Sequence, residues 1–527
     1  MTWSQQELLY IGSALLAFAA WFSLRSRSSA PSSAVPSYGP RYLPSFVGSI
    51  LAAYRLGTDE ENFLLDCHTR YGPITYLPWP LCQYLVTDGA AIQSIYNTPS
   101  KSLVFSPIRN DMNYTVFNIA PAIFSSRFIE ERIFPAHAKG LARGQLATPL
   151  ERFVTSVEGR VAALGEKVEK AGTSAEIELV DVVNEMVFEG ASDALFGTEL
   201  CSPSHSDLTR AQLREAFIDF DASFPLLASG LAAGLLPASL HRFWPKLDKG
   251  VKARGVLIEH FAKWARAGLP GLEEGVTKDI VEIGMNAQVG DEEMGKILLG
   301  SFWALQANAP FAAVHHLLYL TQTPLLPSIL KEMDEHLSTT SEPYSFATLS
   351  SSTTLPLLTS TLYETLRLSA SSFSIRLVKD REGYVFTNTP HAIPPIPYHS
   401  RIICCATRLL DVEEDEDSAE WDGERFEGEE GRRKALKEVR AFGGGISVCE
   451  GRQLAMAKLK AVSIMLLTTF SFSPILSRYN PKETRELRFK GGKKGVSPKT
   501  LLGRAGMGVR QVAMKAPYTL EKRSGSA

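Results

Sequence analysis

The chain reads as mainly α with small β-sheets, and three observations predict it. Stretches such as Leu150 to Lys170 and Ala175 to Leu195 repeat apolar residues three and four apart between charged ones, the spacing of a helix with one buried face. Strand-like alternation is confined to short pieces: Ile74-Thr-Tyr-Leu-Pro and Gln83-Tyr-Leu-Val-Thr-Asp early, Tyr384-Val-Phe-Thr and Arg401-Ile-Ile-Cys-Cys-Ala late. Hydrophobic residues make up 45% of 527, ample for a large core, although length alone does not decide the number of domains.

The first element stands apart from that core. Leu8 to Leu24 (LLYIGSALLAFAAWFSL) carries no charge and is just long enough, as a helix, to cross a hydrocarbon layer. Arg25 and Arg27 follow it while only Glu7 precedes it, so the positive-inside tendency leaves the main body in the cytosol. A cleaved signal peptide wants positive charge before the apolar run and small residues at its end, and neither is here. Residues 1–27 are therefore expected to be a membrane anchor. Residues 28–45, rich in Ser and Pro, are expected to be a semi-rigid, extended linker.

Farther along, Ile297 to Leu320 is nearly uncharged and apolar all round, which suits a helix buried on every side better than a second membrane span, because Gln306, Asn308, His315 and His316 are costly in lipid. Pro310 removes a helical hydrogen bond there and clashes with the Gln306 carbonyl, so a kink is expected that can leave a carbonyl free for a small molecule. The formal net charge of -2 gives no pull toward nucleic acid, which is excluded as a partner. Six cysteines without paired Cys-x-x-Cys spacing point to a reducing compartment rather than a disulfide scaffold or a zinc site. The acidic run Asp411 to Asp417 lacks the glycine and spacing of a calcium loop.

The chemistry concentrates in Phe442-Gly-Gly-Gly-Ile-Ser-Val-Cys449-Glu-Gly451-Arg452, a cysteine in a glycine-rich loop that runs straight into a helix-forming stretch. Such a loop offers one thiolate to haem iron. Three devices there favour the thiolate: the dipole of the following helix, backbone N–H groups freed by the glycines, and Arg452.

Phe442, Gly445, Cys449 and Gly451 fill the haem-ligand signature of the cytochrome P450 superfamily, and the chain resembles that family in its membrane-anchored, eukaryotic, fungal form. The resemblance implies the P450 fold over residues 46–527 as one catalytic domain, with haem b (iron protoporphyrin IX) as cofactor and Cys449 as proximal ligand. Glu364-Thr-Leu-Arg367 and the later Arg425-Phe426 resemble the family's Glu-x-x-Arg element and its Arg-Phe partner, implying a buried charge network that braces the cysteine loop. Arg376 resembles the family's propionate-binding arginine, and Arg452 stands beside the loop. Ser447 stands where another basic residue is common, which leaves Lys101 or Arg109 as candidates for the second propionate. In the central helix, Ala304-x-Gln306-Ala307-Asn308-Ala309-Pro310 resembles the steroid 7α-hydroxylase and prostacyclin synthase branch. Asn308 takes the place of the family's acid and Ala309 that of its threonine. Asn308 cannot titrate, so proton delivery falls to ordered water, the Gln306 carbonyl or the substrate.

The reading is thus a membrane-bound haem-thiolate monooxygenase, single-pass in the endoplasmic reticulum with its catalytic domain facing the cytosol. It oxidises a lipophilic small molecule (a terpenoid, steroid or other secondary metabolite) with O2 and electrons from an NADPH-cytochrome P450 reductase. Substrate contacts by family analogy are the loop Phe105 to Ile119, Phe302, Trp303, Gln306, Ala307, Ser371 to Ser374 and the turn Arg504 to Gly508. Arg432, Arg433, Lys434, Lys437 and Arg440, with Lys458 and Lys460, form a basic patch suited to an acidic flavoprotein. Two alternatives stay open: an isomerase or dehydratase acting on a substrate peroxide without a reductase, motivated by Asn308-Ala309, and a non-catalytic haem or lipid-binding protein.

Overall fold

The computed structural model describes residues 34–523 except 40–44, 79–80, 229–240, 242–243, 352, 390–391, 407–418, 502–506 and 513–514. The expected anchor, most of the linker, the acidic run and most of the turn Arg504 to Gly508 lie outside the described residues.

Helices dominate, among them α1 (Glu60–Tyr71), α2 (Ser106–Thr115), α3 (Ala147–Lys170), α4 (Leu179–Phe196), α5 (Arg210–Ala228), α6 (Pro245–Arg266), α7 (Asp291–Gln306), α8 (Ala309–Leu320), α9 (Pro356–Ser369), α10 (Gly428–Glu438) and α11 (Arg452–Thr469). The spacing expected for α3 is present: Leu150, Phe153, Val154, Val157, Val161, Leu164 and Val168 are buried along one side. The expected helix from Ala175 begins later, because Ser174–Glu178 alternates buried and exposed residues and forms a strand instead.

Strands are short: β1 (Ile74–Leu77), β2 (Gln83–Val86), β3 (Leu103–Val104), β4 (Ser174–Glu178), β5 (Ala370–Val378), β6 (Arg401–Ala406), β7 (Phe470–Pro474), β8 (Thr484–Arg488), β9 (Lys494–Pro498), β10 (Met507–Val509) and β11 (Pro517–Lys522). The largest sheet runs β1-β2-β6-β5-β10 with β3 also on β5; the others are β4-β11-β7 and β8-β9. All described pairings are antiparallel except β2 with β6. The expected strand at Tyr384 is only a single bridge, Tyr384 to Ile396.

The apolar stretch Asp291–Leu320 is, among the described residues, the one long and apolar enough to cross a membrane, yet over half of its most apolar window is buried in the protein. It is two helices. α7 ends at Gln306 and α8 starts at Ala309, so the break lies at Ala307 and Asn308, just before Pro310. Proline has no N–H for the Gln306 carbonyl and its ring clashes there, whereas in the first turn of α8 its missing donor costs nothing.

Two cores flank this rod. On one side Phe302 packs edge-on or tilted against Phe188, Phe196, Phe217 and Phe261, with ring centroids 5.1–5.6 Å apart. On the other, α8 packs with α4, α9 and α11, where His316 joins Ser463 at 2.9 Å and Thr361 at 3.0 Å.

Candidate active site

The cysteine loop is closed by its own backbone. Cys449 N–H donates to the Phe442 carbonyl at 2.9 Å and Gly443 N–H to that of Arg440 at 2.9 Å. Gly443 and Gly445 sit at φ +68° and +61°, where a side chain is strained. The loop also lies tight on the helix before β3. A Cβ on Gly444 would stand 2.1 Å from the Tyr96 ring, and one on Gly445 2.2 Å from the Tyr96 carbonyl oxygen. Gly451 then serves as N-cap of α11.

Of the described cysteines, Cys449 alone is exposed; Cys67, Cys82, Cys404 and Cys405 are buried. The atoms crowded around it nevertheless raise its thiol pKa. Gly451 N–H and Arg452 pull the pKa down, as the sequence suggested, and Lys458 joins them, but burial outweighs all three. A thiol in such surroundings gives up its proton on coordinating a metal ion.

Lys458 and Lys460 do not belong to a surface patch. Both are 2% exposed. Lys458 lies 5.6 Å from the Phe153 ring centroid, and Lys460 donates to the carbonyls of Leu349 at 3.0 Å and Ser351 at 3.2 Å. Burial pushes the pKa of each down to about 8. The expectation treated lysine as a surface residue, and the helix face it rides is interior. Arg432, Arg433, Lys434 and Lys437 of α10 remain exposed.

The residues named for bracing the loop meet. Arg367 holds Glu364 with two bonds, 2.7 and 2.8 Å, and Arg425 adds a third at 3.2 Å. The N–H of Asp422 reaches the same carboxylate at 3.0 Å, and Glu364 is fully buried. The charge is shared between two guanidiniums and a backbone donor, which such burial demands.

Arg376 projects from β5 to the loop, donating to the carbonyls of Ile375 at 2.9 Å and Gly444 at 3.2 Å. Arg452 donates to the Cys449 carbonyl at 3.2 Å. Lys101 is exposed. Arg109 lies over the Phe134 ring at 3.7 Å and pairs with Glu130 at 3.5 Å; it is also near enough to Glu450 for the two to shift each other's titration, and its buried Nε has no partner. An exposed cysteine followed by Gly451, with the unpaired Nε of Arg109 within electrostatic reach of the adjoining Glu450, fits a flat tetrapyrrole bearing anionic groups.

The α7 side corrects the substrate-contact expectation. Gly300, Ala304 and Asn308, four residues apart, keep accessible surface, as do Ser301, Trp303, Leu305 and Phe311 beside them, on a rod otherwise mostly buried. Phe302 and Gln306 lie about half a turn away. Phe302 fills the aromatic core, and Gln306 Nε2 donates to the Phe188 carbonyl at 2.8 Å and Ser192 Oγ at 3.0 Å. Ala307 is buried. Trp303 is partly accessible, stacked on Phe224 at 4.2 Å. A helix apolar all round has no periodicity to reveal which face is open. Asn308 itself uses Oδ1 to accept Val509 N–H at 2.8 Å.

Asp221 escaped the sequence reading. Buried in α5, it accepts from Trp303 Nε1 at 2.9 Å and Gln511 Nε2 at 2.6 Å. An acid between Phe220 and Ala222 in an apolar run was the available signal.

The model for the family described as cytochrome P450 matches residues 39–495. Similar curated proteins include cytochrome P450 7A1 of Oryctolagus cuniculus, 25% identical over 308 residues, covering 54% of this chain and 58% of the relative. Prostacyclin synthase of Homo sapiens is 28% identical over 352 residues, covering 62% and 64%. Cholesterol 7-alpha-monooxygenase of Cricetulus griseus is 23% identical over 315 residues, covering 55% and 58%. The chain thus spans about three fifths of the length of the curated relatives it matches. Because one family model accounts for most of its length, the chain belongs to the cytochrome P450 family, whose members bind haem b through a cysteine thiolate.

Proposed function

We propose that the protein is a haem-thiolate monooxygenase that hydroxylates or otherwise oxidises a lipophilic small molecule, a terpenoid, steroid or other secondary metabolite, with O2 and electrons from NADPH-cytochrome P450 reductase. The observation that carries this reading is Cys449, exposed in a loop that its own backbone closes and whose glycines pack on Tyr96. Bound there, haem b supplies the activation of dioxygen. The chain's own residues do the rest. Cys449 holds the iron; Arg376, Arg452 and Arg109 hold the acidic edge; the Glu364, Arg367 and Arg425 network fixes the loop. Gly300 and Ala304 leave room on the open face of α7, while Phe117, 5.9 Å from Trp303, helps form an apolar wall that excludes water. Asn308 and the Gln306 carbonyl stand beside the break in the rod, where ordered water can pass a proton although neither group titrates. Residues 8–24 anchor the chain in the endoplasmic reticulum membrane with the catalytic domain in the cytosol, and the exposed basic face of α10 receives the reductase.

A relative named for monooxygenation of cholesterol supports a polycyclic substrate. Asn308 followed by Ala309 favours a second reading, rearrangement or dehydration of a substrate peroxide, and a relative named prostacyclin synthase agrees with it. Turnover with NADPH and reductase supports the first reading; turnover with a lipid hydroperoxide alone supports the second. The reduced, carbon monoxide-bound protein should show the strongly red-shifted Soret band of a thiolate ligand, and Cys449→Ser should abolish it. A band typical of a histidine ligand in the unaltered protein would refute both.

A further inference from the structure

The segment from β10 to Gln511 is held by several separate parts of the molecule. Val509 N–H donates to Asn308 Oδ1 at 2.8 Å, and the Arg510 carbonyl accepts from His315 Nε2 of α8 at 2.7 Å. The Arg510 guanidinium reaches Glu61 of α1 at 2.7 Å and Glu60 at 3.7 Å. Gln511 donates to Asp221 of α5, and β10 pairs with β5 as Gly508 opposite Ser371. Within this assembly Asn308 is the member on the open face of the rod. Because Val509 offers a donor, the amide must turn Oδ1 to its N–H, while Nδ2 lies 3.0 Å from where a Gly508 Cβ would stand. Gly508, at φ +105°, lies so close that a Cβ there would stand 2.1 Å from Asn308 Oδ1. The carboxamide therefore both bonds the strand and limits its approach.

We infer that Asn308 is a positioning residue that sets the height of the β10 strand over the open face formed by Gly300, Ala304 and Asn308, and thereby the size of molecule the site admits. The contact itself is independent of haem. Its consequence for ligands rests on the haem-thiolate reading above.

The test compares Asn308→Asp, which keeps an acceptor where Oδ1 stands, with Asn308→Ala, which removes it. Hydrogen exchange of the peptide spanning residues 507–512 reads the Val509 amide directly. In the Ala variant it should exchange about tenfold faster, the worth of one largely buried hydrogen bond, while the Asp variant should stay close to the unaltered protein. Two haem-ligating probes read the site. Imidazole affinity should be unchanged in both variants; clotrimazole should bind about tenfold more weakly to the Ala variant, because a loosened wall must be ordered around the bulky probe. A group that instead donates from Nδ2 to substrate would make Asp the damaging change.

Unchanged Val509 exchange in the Ala variant overturns the inference, as does unchanged clotrimazole affinity there or an Asp variant that behaves like Ala. If the Ala variant does not fold, the Asp variant decides: retained protection supports the inference and lost protection overturns it. Failure of the haem-thiolate reading shows separately, as an unaltered protein with no thiolate band and no azole shift, while the exchange comparison still reports on Asn308.

Discussion

At Gly444 the cysteine loop passes the Tyr96 ring with no room for a methyl group, since a Cβ would stand 2.1 Å from it. Gly444 has extended backbone, so the obstacle is space rather than φ. Gly444→Ala should therefore cost about 1–3 kcal/mol and lower the haem bound per chain, and Tyr96→Ala in the same molecule should restore part of it. Haem content by pyridine haemochrome measures both; no recovery in the double variant would assign the loss elsewhere. At this scale the sequence was legible where chemistry demands set residue types in one local run, as at Cys449 and along Glu364 to Arg367. It was not legible where the answer depends on what a distant segment places opposite. Lys458 and Lys460 looked like surface charge until Phe153 and the Leu349 and Ser351 carbonyls closed over them. Arg109 became a serious propionate candidate only through its packing on Phe134.

Among elements, a buried and an exposed ion pair differ in what their loss should cost. Arg367 and Glu364 are 4% and 0% exposed, whereas Arg433 and Glu429 of α10, at a similar 2.9 Å, are 73% and 80% exposed. Arg367→Ala leaves a buried carboxylate short of a partner and should cost about 3–5 kcal/mol, with haem lost on gel filtration. Glu429→Ala should change the urea midpoint by less than about 1 kcal/mol equivalent. Equal effects would remove the network from its bracing role. The break between α7 and α8 was readable from Pro310 alone, because a missing donor and a ring clash act within one turn. The start of α4 was not, since Ala175 to Glu178 has apolar residues that suit either period, and pairing with β11 settles it.

For the whole molecule, the buried His260, His315 and His316 and the half-buried His137 shape the response to acid. Burial holds His315 and His316 neutral, with pKa values pushed down to about 3, and His137 and His260 near about 4. Below the ordinary histidine value of about 6.5, the unfolded chain takes up protons that the folded chain refuses, so stability is full above that pH and declines as pH falls toward the depressed values. The slope is about 1.4 kcal/mol per pH unit for each such group. His316→Gln should flatten the dependence of the urea midpoint between pH 6.5 and 4 while lowering the midpoint at pH 7.5; an unchanged slope would show that His316 is not held neutral. Fold class was legible at this scale because helical periodicity is local and repeated. The open face of the central rod was not, because an all-apolar helix carries no directional mark. A last consequence lies in β5, hydrogen-bonded on both edges by β6 and β10. It carries Ser371 beside Gly508 at one end and Arg376 against Gly444 at the other, five residues and about 16 Å apart. The strand acts as a ruler between them. A residue inserted between these marks would flip Arg376 to the opposite side of the sheet, so in this chain side chains there can be exchanged but not changed in number.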